Sequence, residues 1–237
     1  MQNTGSVNSK ERPILFNAEM VNAILSGRKT QTRRIMGNQP AGQDLETVHV
    51  RHNDDFNFQW YGNLGESSYF PCPLGKPGDQ LWVREAYRMA KSLDAHSPRV
   101  VAELSLNAGY KNPWAPIQLE ADGVRTGEWA GFDTPPIVTE PGKLRPSLHM
   151  PRWASRINLL ITGVRVERLQ DISQEDAQAE GMELTGWRPT YSDPDSGGEY
   201  ETPYDNFAEL WTSIYGEESW QANPWVWVIE FERMEAK

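Results

Sequence analysis

Residues 27–35 read Gly27-Arg28-Lys29-Thr30-Gln31-Thr32-Arg33-Arg34-Ile35, a run that contains four cations and two hydroxyls. The run follows a short predicted helix that Asn17 caps and Gly27 ends, and it leaves that helix as an extended segment. The rest of the chain is acidic, with a formal net charge of -10, so this positive charge is local. A basic strand after a helix favours a small anionic or nucleobase-like ligand.

The predicted elements on either side of this stretch are mostly strands. Apolar or alternating runs predict strands at residues 13–16, 47–52, 56–61, 80–84, 157–169 and 224–231, and further helices begin at Ser173 and Thr202. Because the helices are few and the strands are close in sequence, we expect an α+β fold. The pattern fits a small mixed β-barrel with helices at its rim and long inserted loops better than a doubly wound sheet.

The length of 237 residues fits a single elaborated domain, which we place at 12–234 after a loose polar arm at 1–11. Segments rich in Gly, Pro and polar residues at about 37–75, 90–145 and 185–201 are interpreted as insertions, with some strand content expected in the second. The sequence shows no signal peptide and no long apolar run, and the single Cys72 excludes an internal disulfide and a Cys-based zinc cage. These features favour a cytoplasmic protein without a membrane partner.

Thr32 is a candidate nucleophile, because a hydroxyl becomes reactive when a base lies beside it. Lys29 can be that base if burial and the neighbouring cations lower its pKa. The two residues are three apart and would face opposite sides of a regular strand, so the hypothesis needs a turn or bulge near Thr30. An ordinary basic edge strand, with Thr chosen for its β propensity, fits the same spacing.

Glu180 is the unusual acid of the chain, because it is predicted in the last turn of the helix that begins at Ser173 and ends at Gly181. A carboxylate there meets the negative end of the helix dipole, which raises its pKa and suits a proton donor. The same position also fits a solvent-exposed glutamate that bears a small penalty. Asp176, three residues after Ser173, is predicted to complete a capping box.

Two other groups of residues contain side chains of types that often contact ligands. Residues 147–156 interleave arginines such as Arg152 with Trp153, which fits base stacking and phosphate binding, or equally a helix packed into the core. His49 and His52 have no neighbouring carboxylates at a metal-binding spacing, so no metal or cofactor is expected. The acidic surface should be interrupted by one positive concavity that admits one nucleotide, built from Arg28, Lys29, Arg33 and Arg34 with help from Arg84 or Arg152.

Four separated blocks of the chain together resemble the ASCH domain, a family of the PUA-like β-barrel superfamily. The long form, as in ASCH proteins carried by bacteriophages and prophages, is the most similar. The resemblance covers roughly residues 13–36, 76–88, 147–182 and 204–233, and it implies a small mixed PUA-like β-barrel. The order and spacing of the blocks carry the resemblance, with Gly27-Arg28-Lys29-Thr30-x-Thr32-x-Arg34, Lys76-Pro77-Gly78-Asp79-x-Leu81, Ala179-Glu180-Gly181-Met182 and Val228-Ile229-Glu230-Phe231.

One bacterial branch of that family hydrolyses N(4)-acetylcytidine to cytidine and acetate. The resemblance implies that Lys29 is the proton acceptor, Thr32 the nucleophile and Glu180 the proton donor. Arg34 or Arg28 is then expected to bind an oxygen of the substrate. The other expected substrate-binding residues are Arg33, Arg84, Arg152 and Trp153. No metal and no cofactor are implied.

Three functions fit these residues at the level of sequence. The first is an amidohydrolase that acts on an acylated pyrimidine nucleoside, nucleotide or related modified base. The second is a non-catalytic module that binds RNA, single-stranded nucleic acid or a modified base. The third is an RNA-cleaving ASCH nuclease.

Overall fold

The structure is a computed structural model that describes residues 9–40, 47–129, 140–182 and 202–235. The described residues form an α+β fold. The helices are α1 (Ala18–Leu25), α2 (Pro98–Asn107), α3 (Gln174–Ala179), α4 (Pro203–Tyr215) and α5 (Glu217–Gln221). The strands are β1 (Glu11–Leu15), β2 (Gln31–Ile35), β3 (His49–His52), β4 (Asn57–Gly62), β5 (Gly65–Glu66), β6 (Phe70–Pro71), β7 (Gln80–Arg84), β8 (Tyr87–Met89), β9 (Ile117–Leu119), β10 (Arg125–Thr126), β11 (Asn158–Arg168) and β12 (Trp225–Arg233).

The described strands form three open sheets, and none of them closes into a barrel. The largest sheet has the order β1-β7-β11-β12-β2, with β1 parallel to β7 and β2 antiparallel to β12. A three-stranded sheet has the order β10-β9-β8, and in a third sheet β4 pairs with β3, β5 and β6.

The chain divides into two compact units, each with its own packing. Within the described ranges, the first unit comprises residues 9–10, 26–40, 47–79, 160–182 and 202–233, and the second comprises residues 11–25, 80–129, 140–159 and 234–235. In the first unit α3 and α4 pack on β12 through Leu169, Ile172, Ala177, Phe207, Trp211, Val226 and Val228. In the second unit the buried cluster is Tyr87, Met89, Val101, Ala115, Ile117, Leu119, Met150 and Ala154.

Several local predictions are confirmed because the signals that carry them act over a few residues. Asn17 accepts a hydrogen bond from the Met20 N–H at 2.8 Å, and Gly27 has a φ of 78°, so α1 begins and ends as predicted. The strand predicted at residues 80–84 is β7. Thr202 and Asp205 form the capping box that starts α4.

Two segments differ from the prediction. The region at 90–145 contains α2, which was not predicted; Ser97 caps it by accepting a hydrogen bond from the Val100 N–H, and Pro98 occupies its first position. Residues 147–156 form two short 3-10 turns instead of one helix, Ser147–His149 and Arg152–Ala154. The predicted insertion at 185–201 lies outside the described residues. Within the described ranges, no helix has the length and apolar character needed to cross a membrane.

Candidate functional site

The basic stretch lies in the first unit, along the end strand of the largest sheet. Thr32 is opposite Ile229 and Arg34 is opposite Trp227 in the antiparallel register with β12. Because side chains alternate along a strand, Thr32 and Arg34 share one face and Arg33 lies on the other. The Phe231 N–H donates to the Thr30 carbonyl at 2.8 Å, but the Thr30 N–H donates to the Ala179 carbonyl at 2.8 Å and not to β12. The regular strand therefore begins at Gln31, and Lys29 lies outside its alternation of faces.

Glu180 is fixed by the way in which α3 ends. The Gly181 N–H donates to the Gln178 carbonyl at 2.8 Å and the Met182 N–H donates to the Ala177 carbonyl at 3.2 Å, the two bonds of a Schellman motif. Gly181 has the positive φ of 100° that this motif requires. The predicted stop at Gly181 is therefore confirmed, and Glu180 is held in place as the residue that caps the helix.

The start of α3 is predicted correctly except for the role of Asp176. The Asp176 N–H donates to Ser173 Oγ at 3.0 Å, as a capped helix requires. Its carboxylate does not complete a capping box but binds the guanidinium groups of Arg33 and Arg165, at 3.0 and 2.6 Å. A charged partner competes successfully with a backbone N–H for this carboxylate, because charge-assisted hydrogen bonds are the stronger ones.

Lys29 and Glu180 form a buried ion pair. Lys29 Nζ lies 2.5 Å from Glu180 Oε2 and also donates to the Glu180 backbone carbonyl at 2.9 Å. The two residues are joined by an antiparallel backbone bridge as well, and their side chains are 0% and 4% exposed. The interpretation of Glu180 as a solvent-exposed glutamate is therefore wrong, and the cation compensates the unfavourable position of its carboxylate at the helix end.

Burial lowers the pKa of Lys29 below its ordinary value. The Glu180 carboxylate opposes this change, whereas the cations Arg34 and Arg33 add to it. A lysine with a lowered pKa can be a neutral amine at a pH where a surface lysine is protonated. The site therefore supplies the electrostatic condition for a general base.

Thr32 is fully buried and its hydroxyl is bound by a cation. Arg34 Nη1 donates to Thr32 Oγ1 at 2.8 Å and to the Arg33 carbonyl at 3.0 Å. A hydroxyl that accepts from Arg34 retains its own proton for donation. Among the described residues, Arg34 makes the hydrogen bond to this hydroxyl, while the amine of Lys29 lies against Glu180.

Arg33 is enclosed by carboxylates. Its Nη1 lies 3.2 Å from Glu180 Oε1, and its Nη2 contacts Glu167 Oε1 and Asp176 Oδ2. The Arg33 side chain is 0% exposed and its guanidinium carbon lies 5.7 Å from the centre of the Phe207 ring. Lys29 and Arg33 thus form buried ion pairs and contribute no exposed positive surface.

The ion pairs continue along β11 to Arg165, which sequence reasoning missed. Arg165 contacts Glu167, Asp176 and Glu230, and carboxylates outnumber cations in the cluster of Lys29, Arg33, Arg165, Glu167, Asp176, Glu180 and Glu230. One sequence signal was present: Arg165 and Glu167 are two residues apart in a predicted strand and therefore share a face.

The other predicted ligand contacts are distributed between the two units. Arg28, in the first unit, is exposed and donates to the Gly181 carbonyl at 3.3 Å and to Ser26. Arg84 and Arg152, in the second unit, lie 4.6 and 5.8 Å from the centre of the Trp82 ring. Trp153 packs against the core cluster of that unit, as the core interpretation of its segment predicts.

The arrangement in the first unit can carry out acid–base chemistry on a small ligand. It combines an amine with a lowered pKa, a carboxyl group in direct contact with that amine, and a hydroxyl bound to a guanidinium. These are the groups that nucleophilic attack on a carbonyl requires. In the described part of the chain, no group of three His, Cys, Asp or Glu side chains is arranged to hold a metal ion.

Comparisons of this chain with protein-family models, with curated proteins and with solved structures found no match. A function is therefore proposed from the contacts of the site and from the sequence resemblance of residues 27–34 and 179–182.

Proposed function

We propose that this protein is an amidohydrolase that removes the acyl group from an N-acylated cytidine or a related modified pyrimidine nucleoside or nucleotide. The observation that carries the proposal is the buried contact of 2.5 Å between Lys29 and Glu180, in a site that also holds the Thr32 hydroxyl against Arg34. The resemblance of residues 27–34 and 179–182 to the ASCH pattern supports the substrate class. A PUA-like relationship is part of this proposal, and the α+β architecture is compatible with it.

In the first half of the reaction, Thr32 Oγ1 attacks the amide carbonyl carbon and the hydroxyl proton passes to the amine of Lys29. The C–N bond then breaks, Glu180 protonates the exocyclic nitrogen, and the acyl group remains on Thr32 as an ester. Arg34, already bound to Thr32 Oγ1, provides positive charge beside the oxygen at which negative charge develops. Before the attack, the proton shared by the ion pair moves from Lys29 to Glu180. Substrate then draws the neutral Lys29 amine away from Glu180 and within reach of the hydroxyl, directly or through one water.

In the second half, a water molecule hydrolyses the ester and regenerates Thr32. Lys29 and Glu180 return to their starting protonation states, because the proton that each exchanged in the first half is passed back. The net products are the free nucleoside and the carboxylic acid. Lys29 returns its proton to Thr32 Oγ1, and Glu180 accepts a proton from the attacking water.

Burial of the reacting groups favours a small uncharged acyl group over a phosphate as the ligand of this site. Lys29, Thr32 and Glu180 are 2%, 0% and 3% exposed, so substrate reaches them only after neighbouring residues move. The cations Lys29 and Arg33 are already paired with carboxylates, and a phosphate would have to displace those partners. RNA binding and RNA cleavage therefore have less support from these residues than deacylation has.

The test incubates the purified protein with a series of N(4)-acylated cytidines, and separately with single-stranded RNA, and follows both by chromatography. Four variants are compared with the parent protein: Thr32→Val, Lys29→Met, Glu180→Gln and Arg34→Ala. Thr32→Val preserves shape and removes the hydroxyl, so deacylation should fall by at least about 1,000-fold while the protein remains folded. Lys29→Met should have a similar effect, and Glu180→Gln should slow release of the amine.

Other outcomes would refute the proposed hydrolase activity. If the parent protein leaves every acylated cytidine intact but retains RNA in a salt-dependent manner, the protein is a binding module. In that case Thr32→Val should have little effect and Arg34→Ala should weaken binding. Products of RNA cleavage that disappear in Lys29→Met would instead indicate the nuclease.

A further inference from the structure

Arg33 contacts the proposed proton donor but takes no part in the bond changes described above. Its Nη1 lies 3.2 Å from Glu180 Oε1, whereas Lys29 Nζ binds the other carboxylate oxygen, Oε2. The carboxylate is thus held at both oxygens by two different cations. A carboxyl group bound at one oxygen can rotate, and one bound at both oxygens cannot do so without breaking a contact.

Arg33 is itself anchored on the side away from Glu180. Its Nη2 contacts Glu167 on β11 and Asp176 on α3, and the guanidinium lies 5.7 Å from the centre of the Phe207 ring on α4. Its side chain has no measurable exposure to solvent. Contacts from three elements therefore fix the guanidinium, and an Arg fork is the side chain best able to bind several carboxylates at once.

The contacts of Arg33 leave no exposed donor to bind a substrate. Each of its terminal nitrogens already contacts at least one carboxylate, and Arg33 Nε is buried without a hydrogen-bond partner. An unsatisfied buried donor costs free energy, about 1–3 kcal/mol in typical cases. A role for this buried guanidinium would explain the cost: it can fix the orientation of a neighbouring group that the reaction uses.

We propose that Arg33 is a positioning residue of the deacylation reaction, which fixes the Glu180 carboxyl group in the orientation that faces Lys29. This inference rests on the proposed function, because it assigns Arg33 a role in that reaction. It replaces the sequence-based expectation that Arg33 binds substrate. Arg34 and Lys29 remain the residues that act on the reacting atoms.

The charge of Arg33 also affects the protonation of Lys29, the partner of Glu180. Among the described residues, the charged groups that act on the Lys29 amine are Glu180 at the end of α3 and Arg33 and Arg34 on β2. Arg33 lowers the pKa of Lys29, so removal of its charge should raise that pKa. The reaction needs neutral Lys29, and the pH at which the rate rises should therefore move upward when Arg33 is neutralised.

The experiment compares Arg33→Gln, Arg33→Lys and the control Arg165→Gln with the parent protein. Arg165 belongs to the same cluster, and among the described residues it forms ion pairs with Glu167, Asp176 and Glu230 but not with Glu180. Loss of either arginine weakens the cluster. Only the loss of Arg33 removes a contact to the Glu180 carboxylate. Measurements of kcat and KM for an acylated cytidine across pH, with thermal unfolding as a folding check, separate the two effects.

Arg33→Gln should lower kcat by about 100-fold with KM nearly unchanged, because a misplaced catalytic group costs rate and not binding. Its rate should also begin to rise at a higher pH than that of the parent. Arg33→Lys keeps the charge, so it should retain the pH dependence of the parent and lose less kcat than Arg33→Gln. If Arg33→Gln does not fold, Arg33→Lys replaces it in the comparison with Arg165→Gln. Arg165→Gln should leave kcat and the pH dependence unchanged.

Equal losses of kcat in the variants of Arg33 and in Arg165→Gln would overturn the positioning role, since both would then act through stability. A readout without turnover keeps this failure distinct from failure of the proposed function. NMR titration of the Lys29 side-chain amine should show a higher pKa in Arg33→Gln and no change in Arg165→Gln. An unchanged Lys29 titration in Arg33→Gln would refute the inference even if the parent protein deacylates its substrate.

Discussion

Lys29→Met should destabilise the protein far more than the loss of a surface cation. Glu180 is 4% exposed on its side chain, and Lys29 supplies the 2.5 Å contact to its Oε2 and a further bond to its backbone carbonyl. With a methionine at this position, the carboxylate remains buried with Arg33 as its partner at 3.2 Å. A buried charge that loses a partner is costly because it cannot recover water as a substitute.

The expected size follows from this geometry. Removal of one partner from a buried pair costs about 3–5 kcal/mol. Because Arg33 continues to compensate one oxygen of Glu180, we expect the lower end, about 3 kcal/mol. Lys29→Met combined with Glu180→Met should cost less than Lys29→Met alone, since no unpaired charge remains and two apolar side chains of similar volume pack together.

The assay is denaturant unfolding of the parent and each variant at neutral pH, with the free energy of unfolding extrapolated to water. Arg99→Met is the control, because Arg99 and Glu103 form an ion pair on α2 with side chains 89% and 58% exposed. A pair so exposed contributes little after screening by solvent, about 0.3 kcal/mol. A loss in Lys29→Met no larger than that in Arg99→Met would refute the reasoning, and so would a double variant less stable than Lys29→Met.

Three further predictions concern pH and backbone geometry. Burial opposes ionisation of Asp176, but Arg165 and Arg33 outweigh it and hold its pKa below the ordinary 3.8. The parent should therefore lose stability relative to Asp176→Asn as the pH falls below 3.8, and denaturation midpoints that keep a constant difference would contradict this. Burial raises the pKa of Tyr87 from 10.0 to about 12, against the opposing charge of Arg145, so stability should fall with rising pH across that interval in the parent and less in Tyr87→Phe. If the stability of the parent and of Tyr87→Phe fell equally with pH over that interval, the side chain of Tyr87 would not be a buried neutral phenol. Gly181→Ala places a Cβ at a φ of 100° and should cost about 1–2 kcal/mol, whereas the control Gly37→Ala, with open space and no positive φ, should be near neutral by the same unfolding measurement.

The local parts of the fold could be predicted because their causes lie within a few residues. The cap at Asn17, the capping box of Thr202 and Asp205 and the helix stop at Gly181 are each set by side-chain or backbone bonds over one turn. The helix α2 was missed because its sequence lies in a segment rich in Pro and Gly, and much of its apolar surface remains exposed, as at Leu104. Its cap at Ser97 and its Pro98 were a usable signal.

The candidate site was predictable only in part, because its contacts join residues that are far apart in the sequence. Lys29 and Glu180 are 151 residues apart, and their proximity was expected from the resemblance and not from any periodicity. The carboxylates that enclose Arg33 come from β11 and α3, so no local pattern identifies them as its partners. Asp176 shows how a local rule fails: its sequence position indicates a capping box, but the buried Arg33 and the half-buried Arg165 compete for its carboxylate.

The most direct test of the proposed deacylation is capture of the acyl group on Thr32. Acid quenching of the parent protein shortly after mixing with N(4)-acetylcytidine should trap the ester, because acid stops the hydrolysis step that regenerates Thr32. Mass spectrometry of the digested protein is predicted to show one acetyl group on the peptide that contains Thr32, and none on the same peptide from Thr32→Val. Release of cytidine without any acetylated Thr32 peptide at any quench time, or equal release by the Thr32→Val protein, would contradict the account.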